Sequence, residues 1–327
     1  MLTRRTFIQT ATATTALTPF MTLGASAETY PDRELHSIGM FPAGSGADVM
    51  VRYFSNRLSE MIGKPVVVDN KAGAFGNIAT SFVARAKPDG YTIYIAPGSS
   101  VLAAAPSLFR TLNYDPVNDF EHITTLFKVT FIQIVAGDSP HKTVADLTKT
   151  LKDKGDKGSY GSVANTGLVA SELYKKAFGL PTVEVKYKEV QSMLVDLLKG
   201  NIEFCHIDPT SVLGQLQDGS VRAISTSSTQ RIRALPDVPS AAEAGIKDLD
   251  LIAWWSVHVP KGTPKPIVEQ LETWFNKLAR DEDAAKWLAT IGCDPFPGDS
   301  KLVRQLLEKD IKAWADYVKL ANIPLLG

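Results

Sequence analysis

The sequence predicts an α/β protein made of two successive doubly wound sheets with flanking helices. Three observations predict it. Short β-type runs alternate with segments of helical periodicity. The first three predicted strands each run into a Gly/Ser-rich loop, which is where an open parallel sheet places its ligand crevice. The chain has 327 residues, enough for two domains of about 100–200 residues each. Hydrophobic content of 44% and charged content of 21% are ordinary for a globular chain. Basic and acidic residues balance at 35 each and do not cluster by sign, which argues against a nucleic-acid or membrane-surface partner.

Residues 1–27 read as an address. Arg4-Arg5 precedes a modestly apolar Ala/Thr-rich run from Ala11 to Leu23, and Ala25-Ser26-Ala27 offers small residues for cleavage. This is the pattern of a twin-arginine export signal, too short and too polar for a membrane span. Its removal leaves 33 basic against 35 acidic residues.

Leu35–Met40 is the first predicted strand, Phe41-Pro42-Ala43-Gly44-Ser45-Gly46-Ala47-Asp48 the turn, and the segment beyond it a helix with Val49, Tyr53, Phe54, Leu58 and Ile62 on one face. A helix start offers unpaired N–H groups and the positive end of a dipole, which together seat an anion. Val66-Val67-Val68 reads as a buried strand, Lys71–Asn77 as a second glycine-rich loop, and Ile78–Ala86 as a helix. Thr92–Ala96 is a third strand leaving through Pro97-Gly98-Ser99-Ser100.

Thr130–Val135 is β-like, and from Thr143, a helix cap, a second α/β series begins. Tyr160–Ser162, Val183–Tyr187, Ile202–Ile207 and Val221–Ser225 are its strands, and Asn165-Thr166-Gly167 opens a helix carrying Leu168, Leu173 and Phe178. After a rigid Leu235–Pro239 connection come a strand, Trp254–Val259, and three helical segments. On that strand Trp254 and Trp255 point to opposite faces, so one is expected in the core. Cys205 and Cys293 are expected as two buried small hydrophobes rather than a disulfide framework. No CxxC, HExxH or His/Cys cluster suggests a metal, and no cofactor is expected.

Six ordered landmarks then carry a resemblance. They are Phe41–Asp48, Asn70–Ile78, Lys87–Thr92, Tyr114–Phe120, Leu235–Ser240 with Glu243 and Gly245, and Pro260–Pro264. Over nearly the whole chain after residue 27 the sequence resembles the solute-binding proteins of the tripartite tricarboxylate transporters, the Bug family. The resemblance implies a two-lobe periplasmic-binding-protein fold of type II, closing over a small carboxylated solute held largely by backbone amides and hydroxyls. The implied division is 28–128 and 236–327 for one lobe and 129–235 for the other. Where the family often has a histidine early in the helix of the second lobe, this chain has Leu168, and Phe75 replaces a common glycine.

The expected ligand contacts follow from strand ends and from that resemblance. In the first lobe they are Phe41 as a cleft wall, Gly44, Ser45, Gly46 and Ala47 as amide donors, Asp48, Phe75, Asn77 and Ser99. In the second they are Asn165, Thr166 and Gly167, with His206 and Asp208 on a strand implied to face the cleft. The expected function is a non-catalytic periplasmic receptor. It passes a small organic acid to integral membrane transporter subunits and acts as a monomer. The main alternative is an exported nucleotide-dependent oxidoreductase. Gly44-Ser45-Gly46 matches two glycines of a dinucleotide fingerprint and Asp69 follows at the right distance, but Val49 stands where the third glycine belongs. A hydrolase lacks its Gly-x-Ser-x-Gly elbow, and the sensing lobes of a transcription regulator suit an exported chain poorly.

Overall fold

The computed structural model describes residues 30–327, so the export signal at 1–27 lies outside the described residues. Elements in chain order are β1 (Leu35–Gly39), α1 (Gly46–Ile62), β2 (Val66–Asn70), α2 (Asn77–Ala84), β3 (Thr92–Pro97), α3 (Ala105–Leu108), β4 (Phe120–Thr130) and β5 (Ile132–Ala136). Next come α4 (Val144–Lys154), β6 (Ser159–Ser162), α5 (Asn165–Phe178), β7 (Val183–Lys186), α6 (Val190–Leu198), β8 (Phe204–Ile207), α7 (Leu213–Gln217) and β9 (Val221–Thr226). The chain closes with β10 (Ile252–Pro260), α8 (Lys265–Ala279), α9 (Glu282–Thr290), β11 (Cys293–Pro295) and α10 (Ser300–Leu320).

The strands form a six-stranded sheet, β11-β4-β10-β3-β1-β2, and a five-stranded sheet, β7-β6-β8-β5-β9. In the first, β1, β2 and β3 are parallel, so all three loops leave at one edge. Strands β4 and β10 pair antiparallel to each other, and each crosses between the sheets, β4 into β5 and β10 out of β9. Ser227 ties the two crossings at the joint. Its N–H donates to the Phe131 carbonyl at 2.8 Å, its hydroxyl donates to the Leu251 carbonyl at 2.6 Å, and the same oxygen accepts from the Phe131 N–H at 3.0 Å.

Both faces of the first sheet are covered. On one side α1 and α8 bury Phe54, Leu58, Leu271 and Phe275 against Ile93, Phe127 and Trp255. On the other, α2 and α10 bury Val83, Leu307 and Trp314 against Tyr94 and Trp254, and the cluster continues into the second lobe through Leu168 and Val169 of α5. Each such large apolar side chain contributes about 1.5–3 kcal/mol on leaving water. This double cover explains why Trp254 and Trp255 are both buried, at 0% and 4% exposure, where one core tryptophan was expected. Helix α1 is rotated from its expected face. Met50, Val51 and Phe54 are inside while Val49 is 47% exposed, because the helix packs through the 51/54/58 stripe. Cys205 and Cys293 are free and buried.

Candidate functional site

The turn between β1 and α1 is locked from within. Ser45 caps the helix, its hydroxyl accepting from the Asp48 N–H at 3.2 Å. The Asp48 carboxylate folds back and accepts from the Gly44 N–H at 2.8 Å, from Arg52 Nε at 2.7 Å and from Asn70 Nδ2 at 2.7 Å. Burial works against its charged form, yet the donors from Arg52, Asn70 and Gly44 hold its pKa below the ordinary carboxylate value. Asn70 also donates to the Phe41 carbonyl at 2.9 Å, stapling the ends of β1 and β2 together.

Asp48 and the Gly44 amide therefore serve each other and not a ligand, which corrects both expectations. The Ser45 amide is likewise used, on the Pro42 carbonyl at 3.2 Å. Of the four expected donors, the Gly46 and Ala47 N–H groups have no partner among the described residues. The anion in this turn is the chain's own, at the place a pyrophosphate would need. Phe41 is half-buried and stacks on Trp255, ring centres 5.7 Å apart.

The loop after β2 holds Ala74 and Phe75 in left-handed backbone, φ +45° and +50°. A non-glycine residue there is strained by about 1–3 kcal/mol, and Phe75 is 63% exposed. Gly76 then packs so close to the Met40 and Val101 side chains that a Cβ would stand 2.7 Å from the first and 2.8 Å from the second. That approach draws the second loop onto the other two. Asn77 keeps a buried Oδ1 without a hydrogen-bond partner, and so does the Ser99 hydroxyl after β3.

The start of α5 is open where that of α1 is closed. Its N-cap is Ala164, which has no capping side chain. The first intrahelical bond runs from the Leu168 N–H to the Ala164 carbonyl at 3.1 Å. The amides of Asn165, Thr166 and Gly167 thus have no partner among the described residues. Thr166 and Ser99 line one cavity, so this helix start faces the strand-end loops of the first lobe. Gly167 is needed for packing, since a Cβ there would lie 2.4 Å from the His206 carbonyl oxygen.

His206 sits beneath that helix start, 3% exposed. The Ser171 hydroxyl gives its proton to the Gly167 carbonyl at 3.0 Å, so it accepts from His206 Nδ1–H at 2.9 Å. His206 Nε2 is then a bare acceptor, buried and unpartnered. Burial pushes this imidazole down to about 3, so it is neutral and senses no charge. Asp208 corrects its expectation more fully. It caps its own turn, accepting from the Ser211 N–H at 3.0 Å and the Ser211 hydroxyl, and stands near Cys293.

Sequence reasoning missed the Asn70 staple and the Arg52 partner of Asp48. The signal for Arg52 was present, since an acid and a base four apart share a helix face. It also missed Asp310 of α10, which accepts from the Trp254 indole N–H at 2.7 Å. Nothing local marks a pair 56 residues apart.

Known proteins give the same outline. The model of the family described as the tripartite tricarboxylate transporter family receptor matches residues 50–323. Protein BugT of Bordetella pertussis is 28% identical over 296 residues, covering 90% of this chain and 91% of BugT. Among solved structures, R. palustris Rpa4515 with adipate is 31% identical with a TM-score of 0.77, covering 91% of this chain and 100% of that one. The periplasmic binding protein BugD is 28% identical with a TM-score of 0.73 over the same shares.

Proposed function

The chain belongs to the tripartite tricarboxylate transporter receptor family, and from that membership we propose that it is a periplasmic receptor for a small organic acid, handed as a closed complex to integral membrane transporter subunits. The observation that carries the reading is the uncapped start of α5, with three free amides facing the Ser99 loop. Backbone N–H groups at a helix start bind a carboxylate with the help of the dipole. One carboxylate sits on Asn165, Thr166 and Gly167. The free amides of Gly46 and Ala47, with Asn77, take the far end of the ligand, while Phe41 and Phe75 flank its carbon chain.

In this reading residues 129–235 move as one lobe against 28–128 and 236–327, with Ser227 at the pivot. The relative Rpa4515, seen with adipate, supports an acid as the ligand. The protein works as a monomer, exported by its twin-arginine signal. The test is thermal unfolding with adipate, succinate, malate, aspartate, benzoate and NAD. A ligand at a hundred times its Kd stabilises by about 2.7 kcal/mol, so at least one acid should raise the melting temperature by several degrees. A shift with NAD alone overturns the receptor reading.

A further inference from the structure

Behind the free start of α5 lies a cavity of about 60 Å³, bounded by Thr166, the Ser99 loop, Trp254 of β10 and α10. One water fills roughly 10–15 Å³ of such space, so the head group of a small ligand fits. Its apolar walls are Trp254, Leu306 and Trp314, and its polar lining includes Thr166, Ser99 and Asp310. Two of these groups can take a further partner. The Ser99 hydroxyl is 4% exposed and has no hydrogen-bond partner. Asp310 accepts from the Trp254 indole and makes no ion pair within 4 Å among the described residues, although Lys309 and Asp250 line the same cavity. Asp310 is half-buried, so a ligand that covers its free oxygen must supply a donor in place of the water it displaces. Burial raises the Asp310 pKa even against the Trp254 bond.

We infer that this cavity is a subsite for a hydrogen-bond donor on the ligand, an ammonium or hydroxyl group beside the carboxylate held by α5, received by Asp310 and Ser99. The inference rests on the acid-receptor reading above and narrows it to amino or hydroxy acids. Thr166 joins the two parts of the site, since its amide belongs to the α5 start and the residue lines the cavity. The carboxylate then supplies the negative end that the helix amides need, and its neighbouring substituent supplies the donor that Asp310 lacks. An unsubstituted acid leaves the Asp310 oxygen without that partner. A site built to hydrogen-bond a donor discriminates strongly against the analogue lacking it.

Calorimetric titration of the full protein with two matched series tests this: succinate, malate and aspartate, and adipate with 2-aminoadipate. In the series that binds, a substituted acid should bind at least tenfold tighter than its parent, and Asp310→Asn should bring that ratio close to one for an amino acid and lower it less for a hydroxy acid. Ser99→Ala removes a hydroxyl that no protein group uses. It should fold normally and lower the ratio at least threefold, which keeps the test alive if the Asp310 variant unfolds. Comparing malate with aspartate in the Asp310 variant tells hydroxyl from ammonium, since the neutral amide retains the former better. Parent acids binding as tightly as substituted ones, or an unchanged ratio in both variants, overturns the subsite and leaves the receptor reading standing. Absence of binding by every acid removes both.

Discussion

The two helix starts that face the cleft are built on opposite plans. At α1 a serine caps, an aspartate neutralises the dipole from inside, and Gly44, Arg52 and Asn70 close around that carboxylate. At α5 an alanine stands at the cap and three amides are free among the described residues. The same contrast recurs in the buried histidines. In the first lobe Val117 O accepts from His122 Nε2 at 3.0 Å. His122 Nδ1 must then accept from His258 Nδ1–H at 2.9 Å, leaving His258 Nε2 to accept from the Ser256 hydroxyl at 2.6 Å. Every ring nitrogen is used. His206 in the second lobe leaves one bare. The Asp48 turn and the His122–His258 pair spend their polar groups on the fold, while the α5 start and His206 leave some unpartnered.

The largest effect that separates the two regions is acid sensitivity. Burial lowers His122 to about 4, His206 to about 3 and His258 well below its ordinary value. The unfolded chain therefore binds more protons than the native one below the ordinary histidine pKa of about 6.5. The stability that the neutral rings contribute is full above that value and is lost as pH falls through the window down to about 3–4. Each ring contributes up to about 1.4 kcal/mol per pH unit. Denaturant titrations from pH 7.5 to 5 should show stability falling steeply. His206→Gln should remove one ring's share of that slope and leave the share of the first-lobe pair. A flat profile contradicts the neutral assignments.

Next in size is the lock itself. Asp48→Ala strands the donors of Arg52, Asn70 and Gly44 and should cost about 2–3 kcal/mol of stability, read by urea unfolding. Gly167→Ala puts a methyl against a backbone carbonyl, so α5 must shift at its start. It should cost about 1–3 kcal/mol by overpacking and weaken acid binding at least tenfold. The smallest stability change sharpens the comparison most. Ala164 has the extended φ of −127° and ψ of 153° that a capping residue needs. Ala164→Asp should gain about 1 kcal/mol while weakening acid binding tenfold, because it gives α5 the internal anion that α1 already has. Tighter fold with unchanged binding breaks the account.

Much of this was legible in the chain. The turn at Gly44–Gly46, the run Val66–Val68 and the cap at Thr143 each show in a window of a few residues, because strand period, glycine turns and capping are local. The Asn165–Gly167 helix start was found for the same reason. The reading failed where sequence proximity does not fix direction. Asp48 was placed at the ligand because it stands in the right loop, but whether a carboxylate turns outward or back onto Gly44 depends on Asn70, a residue from another strand. Asp208 failed in the same way, since its turn uses it. Trp254 was half-read, because the helix that covers it, α10, lies some fifty residues further along the chain.

In the closed receptor the acid's carboxylate should rest on the free amides of α5. Amide NMR of the full protein, titrated with the acid that gives the largest thermal shift, tests it directly. Large, saturable downfield shifts are expected at Asn165, Thr166 and Gly167, following one binding curve. Saturation with those three amides unmoved, and the shifts gathered elsewhere, would contradict it.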